Sequence, residues 1–93
     1  MNPKKGKRGK LEVVYDILGI IVNHKNSIKP TPLLRFSNLS SERFKSYYNE
    51  LLEKGLIREI SYENGKLISL TDKGFKYLEK YKAITHFIED FGL

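Results

Sequence analysis

The stretch ISYENGKLISLTDKG, residues 60–74, decides the architecture. Two short runs of alternating polar and apolar residues flank Asn64-Gly65, a dipeptide that supplies the positive backbone angles of a two-residue type I′ turn. Ile57, Ile60 and Tyr62 mark the outgoing strand, and Leu67, Ile68 and Leu70 the return. A lone two-stranded hairpin is marginal in water, so this one must lean on other elements. The residues on both sides of it have helical periodicity.

Upstream, KPTPLLRFSNLSSERFKSYYNELLEKGLI (29–57) holds two helices. Thr31 and Pro32 suit the N-cap and first position of a short helix running to about Ser37, because the hydroxyl accepts from an orphan amide and proline lacks only an N–H the helix does not use. Asn38 tolerates a left-handed turn, and Leu39 anchors that turn in the core. Ser40 caps the next helix, about 40–54, and Glu42 favours its positive end. Gly55 suits a left-handed C-cap, with Leu56 as its apolar closure. Phe44, Tyr48, Leu51 and Leu52 form the expected buried stripe. Glu42, Lys45, Ser46 and Asn49 fall at i, i+3, i+4 and i+7 and are all polar. A short helix, a tight bend and a helix with one wet face make a helix-turn-helix, and a hairpin directly after it is a wing.

Outside this unit, KLEVVYDILGIIVNHK (10–25) reads as a first helix with Leu11, Val14, Leu18, Ile21 and Val22 on one face. Thr71 caps a last helix that runs to about Phe91, with Phe75 and Leu78 directed at the domain body. Along it Tyr77, Tyr81, Ile84, Ile88 and Phe91 are spaced 4, 3, 4, 3, the a/d repeat of a helix-pairing seam. The expected fold is therefore mainly α with a small β-hairpin: a winged helix-turn-helix over 11–74, plus a C-terminal helix over 71–93 that serves as a dimerisation element.

The 93 residues suit one small domain. No cysteine is present, so neither disulfides nor thiolate metal sites hold the fold. Ile17 to Val22, the longest apolar run, is far short of a membrane span, and no secretory leader is predicted; a cytoplasmic, DNA-associated protein is expected. The formal charge is +6, unevenly placed. Lys4, Lys5, Lys7, Arg8 and Lys10 lie in the first ten residues without an acid, while the other 83 carry 12 basic against 11 acidic groups. Residues 1–10 are thus expected to be a disordered basic arm that neutralises phosphates.

KLEVVYDIL (10–18), NLSSERFKSYYNELLEKGLI (38–57) and LTDKGFKYLEKY (70–81) together resemble the small archaeal winged-helix DNA-binding proteins whose last helix pairs as an antiparallel coiled coil in a homodimer. The similarity runs over about residues 8 to 90. It implies DNA binding by a chromatin protein or transcription regulator, without enzymatic activity. One departure is Pro32, at a place where such proteins commonly carry a basic residue; Arg35 is left as the only cation of that helix.

The expected partner is double-stranded DNA. The third helix would enter the major groove and present Ser41, Arg43, Lys45, Ser46 and Asn49, with Arg35, the wing residue Lys66 and the basic arm on the backbone. Asn49 can read adenine bidentately, and Glu42 can accept from cytosine. No cofactor is expected. His86, Glu89 and Asp90 share a helix face, a weak metal signal better read as surface electrostatics. No phosphate-binding glycine loop or nucleophile motif occurs. The competing reading is a winged-helix protein-docking module, which the near-neutral body would also suit.

Overall fold

A computed structural model describes residues 8–93. Its elements follow in the order α1 (Lys10–Asn23), α2 (Pro30–Ser37), α3 (Ser41–Glu53), β1 (Ile57–Tyr62), β2 (Gly65–Leu70) and α4 (Asp72–Asp90). Four helices and an antiparallel hairpin make the mainly α, winged helix-turn-helix architecture expected from the sequence.

The core forms where α1, α2 and α3 meet the base of the hairpin. Val13, Val14, Ile17, Leu18 and Ile21 of α1 pack with Leu33, Phe44, Leu51, Ile68 and Leu70. The predicted face of α1 is therefore rotated: Leu11 is exposed, and Val13 and Ile17 take its place inside. Phe75, expected against the body, is exposed as well, whereas Leu78 packs on the core.

Helix ends explain the bend between α2 and α3. Asn38 takes a left-handed conformation (φ 60°). Ser37, fully buried, bridges the turn: its Oγ donates to the Leu34 carbonyl at 2.7 Å and accepts from the Leu39 amide at 3.3 Å. The start of α2 differs from expectation by two residues, with Lys29 rather than Thr31 at the cap. Pro30 causes this, since its fixed φ and missing N–H already suit the first helical position.

The hairpin pairs from Ile57↔Leu70 to Tyr62↔Gly65. Glu63 and Asn64 lie between the last pair, and Gly65 alone has a positive φ, 139°. The expected two positive angles are thus replaced by one. Glycine has no Cβ to clash and takes the uncommon angle, which lets Asn64 relax into the ordinary region.

Nor does the hairpin stand alone. Ile28, in the α1–α2 loop, pairs with Ile68 through backbone hydrogen bonds of 3.2 and 2.8 Å. Left-handed Lys25 and Asn26 reverse the chain to bring it there. The Asn26 side chain accepts from the Leu70 amide at 2.8 Å, and Ser69 Oγ donates to the Asn26 carbonyl at 2.7 Å.

Candidate nucleic-acid interface

α3 is fixed at both ends. At its start, Ser40 Oγ accepts from the Arg43 amide at 3.2 Å. At its end, Gly55 turns left-handed (φ 75°), its amide donates to Leu52, and the Leu56 amide donates to Leu51. This double closure satisfies carbonyls the helix would otherwise leave open. The α4 N-terminus grips the same corner: Thr71 Oγ1 donates to the Gly55 carbonyl at 2.5 Å and Lys73 Nζ to the Lys54 carbonyl at 2.7 Å.

The polar face of α3 is free. Ser41, Glu42, Lys45, Ser46 and Asn49 are all exposed. Among the described residues, none of their side chains hydrogen-bonds to another part of the chain. Arg43 lies over the Tyr47 ring at 5.9 Å, and Arg35 over Phe36 at 5.5 Å. Among the described residues neither Arg35, Arg43 nor Lys45 pairs with a carboxylate, so their charge is available to an outside anion.

Two of the cations expected in the basic arm, Arg8 and Lys10, are held against the domain. Lys10 is the first residue of α1, and its ammonium pairs with Glu50 of α3 at 2.8 Å. That hydrogen bond raises the Lys10 pKa and lowers that of Glu50. Arg8 is tied to the body, pairing with Asp16 at 2.8 Å and donating to the Ser37 carbonyl at 2.9 Å. Lys4, Lys5 and Lys7 lie outside the described residues. Lys10, Arg43, Ser46, Tyr47 and Glu50 line a shallow depression of about 260 Å³ beside the free face of α3.

Lys66 is placed differently from the α3 cations. It pairs across the hairpin with Glu59 at 3.3 Å, and the Tyr48 hydroxyl of α3 donates to that same carboxylate. The Tyr48 hydrogen bond, with help from Lys66, holds Glu59 below the usual carboxylate range; burial and the Glu59 contact push the Tyr48 phenol up. Tyr48 therefore joins α3 to the wing. Sequence reasoning counted it only as part of the buried stripe, because an i, i+11 contact leaves no periodic signal.

The seam expected on α4 divides in two. Tyr77 donates its hydroxyl to the Leu11 carbonyl at 2.7 Å, and Tyr81 stacks on Tyr15 with ring centroids 4.3 Å apart. Both are half-buried against their own domain. Ile84, Ile88 and Phe91 are exposed, together with Phe87. No helix is long and apolar enough to cross a membrane, and no three His, Cys, Asp or Glu side chains group as metal ligands, among the described residues.

A capped two-helix corner with an open polar face, followed by a wing, defines a winged helix-turn-helix protein. The chain belongs to the winged helix-turn-helix family, whose sequence profile matches residues 7–89. It is similar in fold to Sso10a-2, a DNA-binding protein from Sulfolobus solfataricus, with TM-score 0.73 and 19% identity over 90% of this chain and 85% of that one. It is also similar to F93 from STIV, a winged-helix DNA-binding protein, with TM-score 0.74 and 20% identity over 84% and 91%. The oxidised form of MarR from E. coli matches with TM-score 0.63 and 24% identity over 72% of this chain, though only 48% of MarR is covered. No curated protein sequence matches.

Proposed function

We propose that the protein binds double-stranded DNA, with α3 in the major groove and the wing and N-terminal residues along the flanking backbone. The observation that carries this reading is the uncovered polar face of α3, with Arg43 and Lys45 free of carboxylate partners among the described residues. Lys45 and Arg43 supply phosphate contacts, Asn49 and Ser46 reach base edges, and Arg35 adds charge at the end of α2. The DNA-binding winged-helix proteins that share the fold support DNA binding; the role we propose for the protein is that of a transcription regulator or a chromatin-associated protein. The protein acts as a homodimer through the exposed apolar end of α4, a patch of the kind that marks association surfaces.

Titrating random and AT-rich duplexes across a salt series tests the reading. Binding with a steep negative log–log salt slope is expected, and no binding at about 50 mM salt would overturn it. One observation favours protein docking instead: Arg8, Lys10 and Lys66 are each neutralised by a neighbouring carboxylate. That alternative predicts the negative outcome of the same titration.

A further inference from the structure

We propose that the depression between α1 and α3 is a seat for one phosphate of the DNA backbone, and that Glu50 fills it as an internal stand-in until DNA arrives, then passes from Lys10 to Lys54. This rests on the DNA-binding reading above and adds to it a particular contact and an exchange of ion-pair partners.

The three neutralised cations are not held alike. Arg8 is gripped twice, by Asp16 at 2.8 Å and by the Ser37 carbonyl at 2.9 Å, and its side chain is only 25% exposed. Lys66 pairs with Glu59, whose carboxylate the Tyr48 hydroxyl also holds and which has no second cation among the described residues. Lys10 differs from both. Its side chain is 61% exposed, and the only ion pair it makes among the described residues is to Glu50, at 2.8 Å. Glu50 in turn has somewhere to go, since the Lys54 ammonium lies 3.9 Å from the same carboxylate oxygen, one turn further along α3. An exposed pair of this kind is weakly held, so an arriving anion can take its cation.

The lining suits that anion. Lys10, Arg43, Ser46, Tyr47 and Glu50 surround about 260 Å³. Four of these five bring N–H or O–H donors, and the fifth is itself an anion. A carboxylate lodged among donors marks a place that favours negative charge. The depression lacks the apolar walls of an organic-ligand pocket, whereas phosphate oxygens accept from ammonium, guanidinium and hydroxyl together. Arg43 is the second clamp: its guanidinium lies over the Tyr47 ring at 5.9 Å and pairs with no carboxylate among the described residues.

Position picks out the source of the phosphate. Arg43, Ser46, Tyr47 and Glu50 fall at i, i+3, i+4 and i+7 and form one strip of α3. Glu42, Ser46 and Asn49 form the adjoining strip, which faces the bases in the reading above. With that strip in the major groove, the depression lies to its side, where the backbone borders the groove. Charge then balances in both states. Free, Glu50 neutralises Lys10; bound, Lys54 neutralises Glu50 while Lys10 and Arg43 face the phosphate.

Full-length variants are titrated with one duplex across a salt series, with circular dichroism to confirm that each is folded. Lys10→Ala should flatten the log–log slope by about 0.9 unit. Glu50→Gln should tighten binding at least about threefold at roughly 100 mM salt, because Lys10 then starts free. Lys54→Ala separates the exchange from general electrostatics: it should weaken binding about threefold in the wild-type background and by less than about 1.3-fold beside Glu50→Gln. Steep wild-type binding that is indifferent to Lys10→Ala overturns the phosphate seat. Lys54→Ala losses that are equal in the two backgrounds or absent from both, or a Glu50→Gln protein that binds no tighter, overturn the exchange. No duplex binding by the wild-type protein overturns the DNA-binding reading itself, and the seat with it.

Discussion

Gly74 shows how one residue can decide a junction. It is buried in the first turn of α4, and a Cβ there would collide with the Leu56 carbonyl oxygen and lie 2.9 Å from Leu70 Cγ. The carbonyl is backbone, already accepting from the Thr71 amide at 3.1 Å, and cannot step aside. Gly74→Ala should therefore cost about 2–3 kcal/mol, visible as a lower urea midpoint with an unchanged m-value; a shift under about 0.5 kcal/mol would contradict the packing. Tyr77 supplies a second residue-scale test. Burial pushes its phenol up to about 12. A folded pKa above the unfolded one favours the neutral form in the native state, so this contribution is fully present below about pH 10 and is lost as pH rises toward 12. Wild-type protein should lose stability across that window, and Tyr77→Phe should flatten the loss. Neither feature was legible beforehand, because close backbone approach and partial burial are tertiary facts. Gly55 and Asn38 were legible, since each residue type favours the left-handed angle its place demands.

Among the elements, those with strong local chemistry were found from sequence and those made by long-range contact were not. Ser40, Thr71 and Gly55 marked real helix ends because a side-chain acceptor or a missing Cβ acts within one turn. Ser40→Ala should consequently cost about 1 kcal/mol in thermal or urea unfolding. The bridge at Ile28 leaves no mark in the sequence, for one isoleucine among polar residues has no period. The candidate site divides in the same way: the polar α3 face was visible in its spacing, but the carboxylates that occupy Lys10 and Lys66 come from other elements. The link between α3 and the wing belongs to this class too. Tyr48, Glu59 and Lys66 join three elements at one carboxylate whose pKa is lowered in the fold. A depressed carboxylate stabilises above its unfolded pKa and ceases to as pH falls through the folded value. Amide exchange in β1 and β2 should thus accelerate relative to α1 as pH drops below about 4.5, after correction for intrinsic rates. Tyr48→Phe should produce part of that acceleration at neutral pH. Equal wing protection in both proteins would show that the contact does not hold the wing.

At the scale of the whole molecule, the distribution of neutralised and free cations sets what salt can reveal. If every basic residue of the first ten met phosphate, removing them would flatten the log–log slope by about 4 units or more. Arg8 and Lys10 are held by Asp16 and Glu50, however, and the other cations of that segment are Lys4, Lys5 and Lys7. Deleting residues 1–7 should therefore flatten the slope by at most about 2.7 units. The body divides by the same rule. Lys45→Ala and Arg43→Ala should each remove about 1 unit, since both charges are exposed on the α3 side. Lys66→Ala should change the slope by less than about half a unit, because its charge is offset by Glu59 before DNA arrives. The comparison is internal, using one protein, one duplex and one salt series, so differences in fold or concentration do not mimic it. A Lys66 effect equal to that of Lys45 would mean that the Glu59 pair opens on binding and that the wing carries the backbone contact as well as α3.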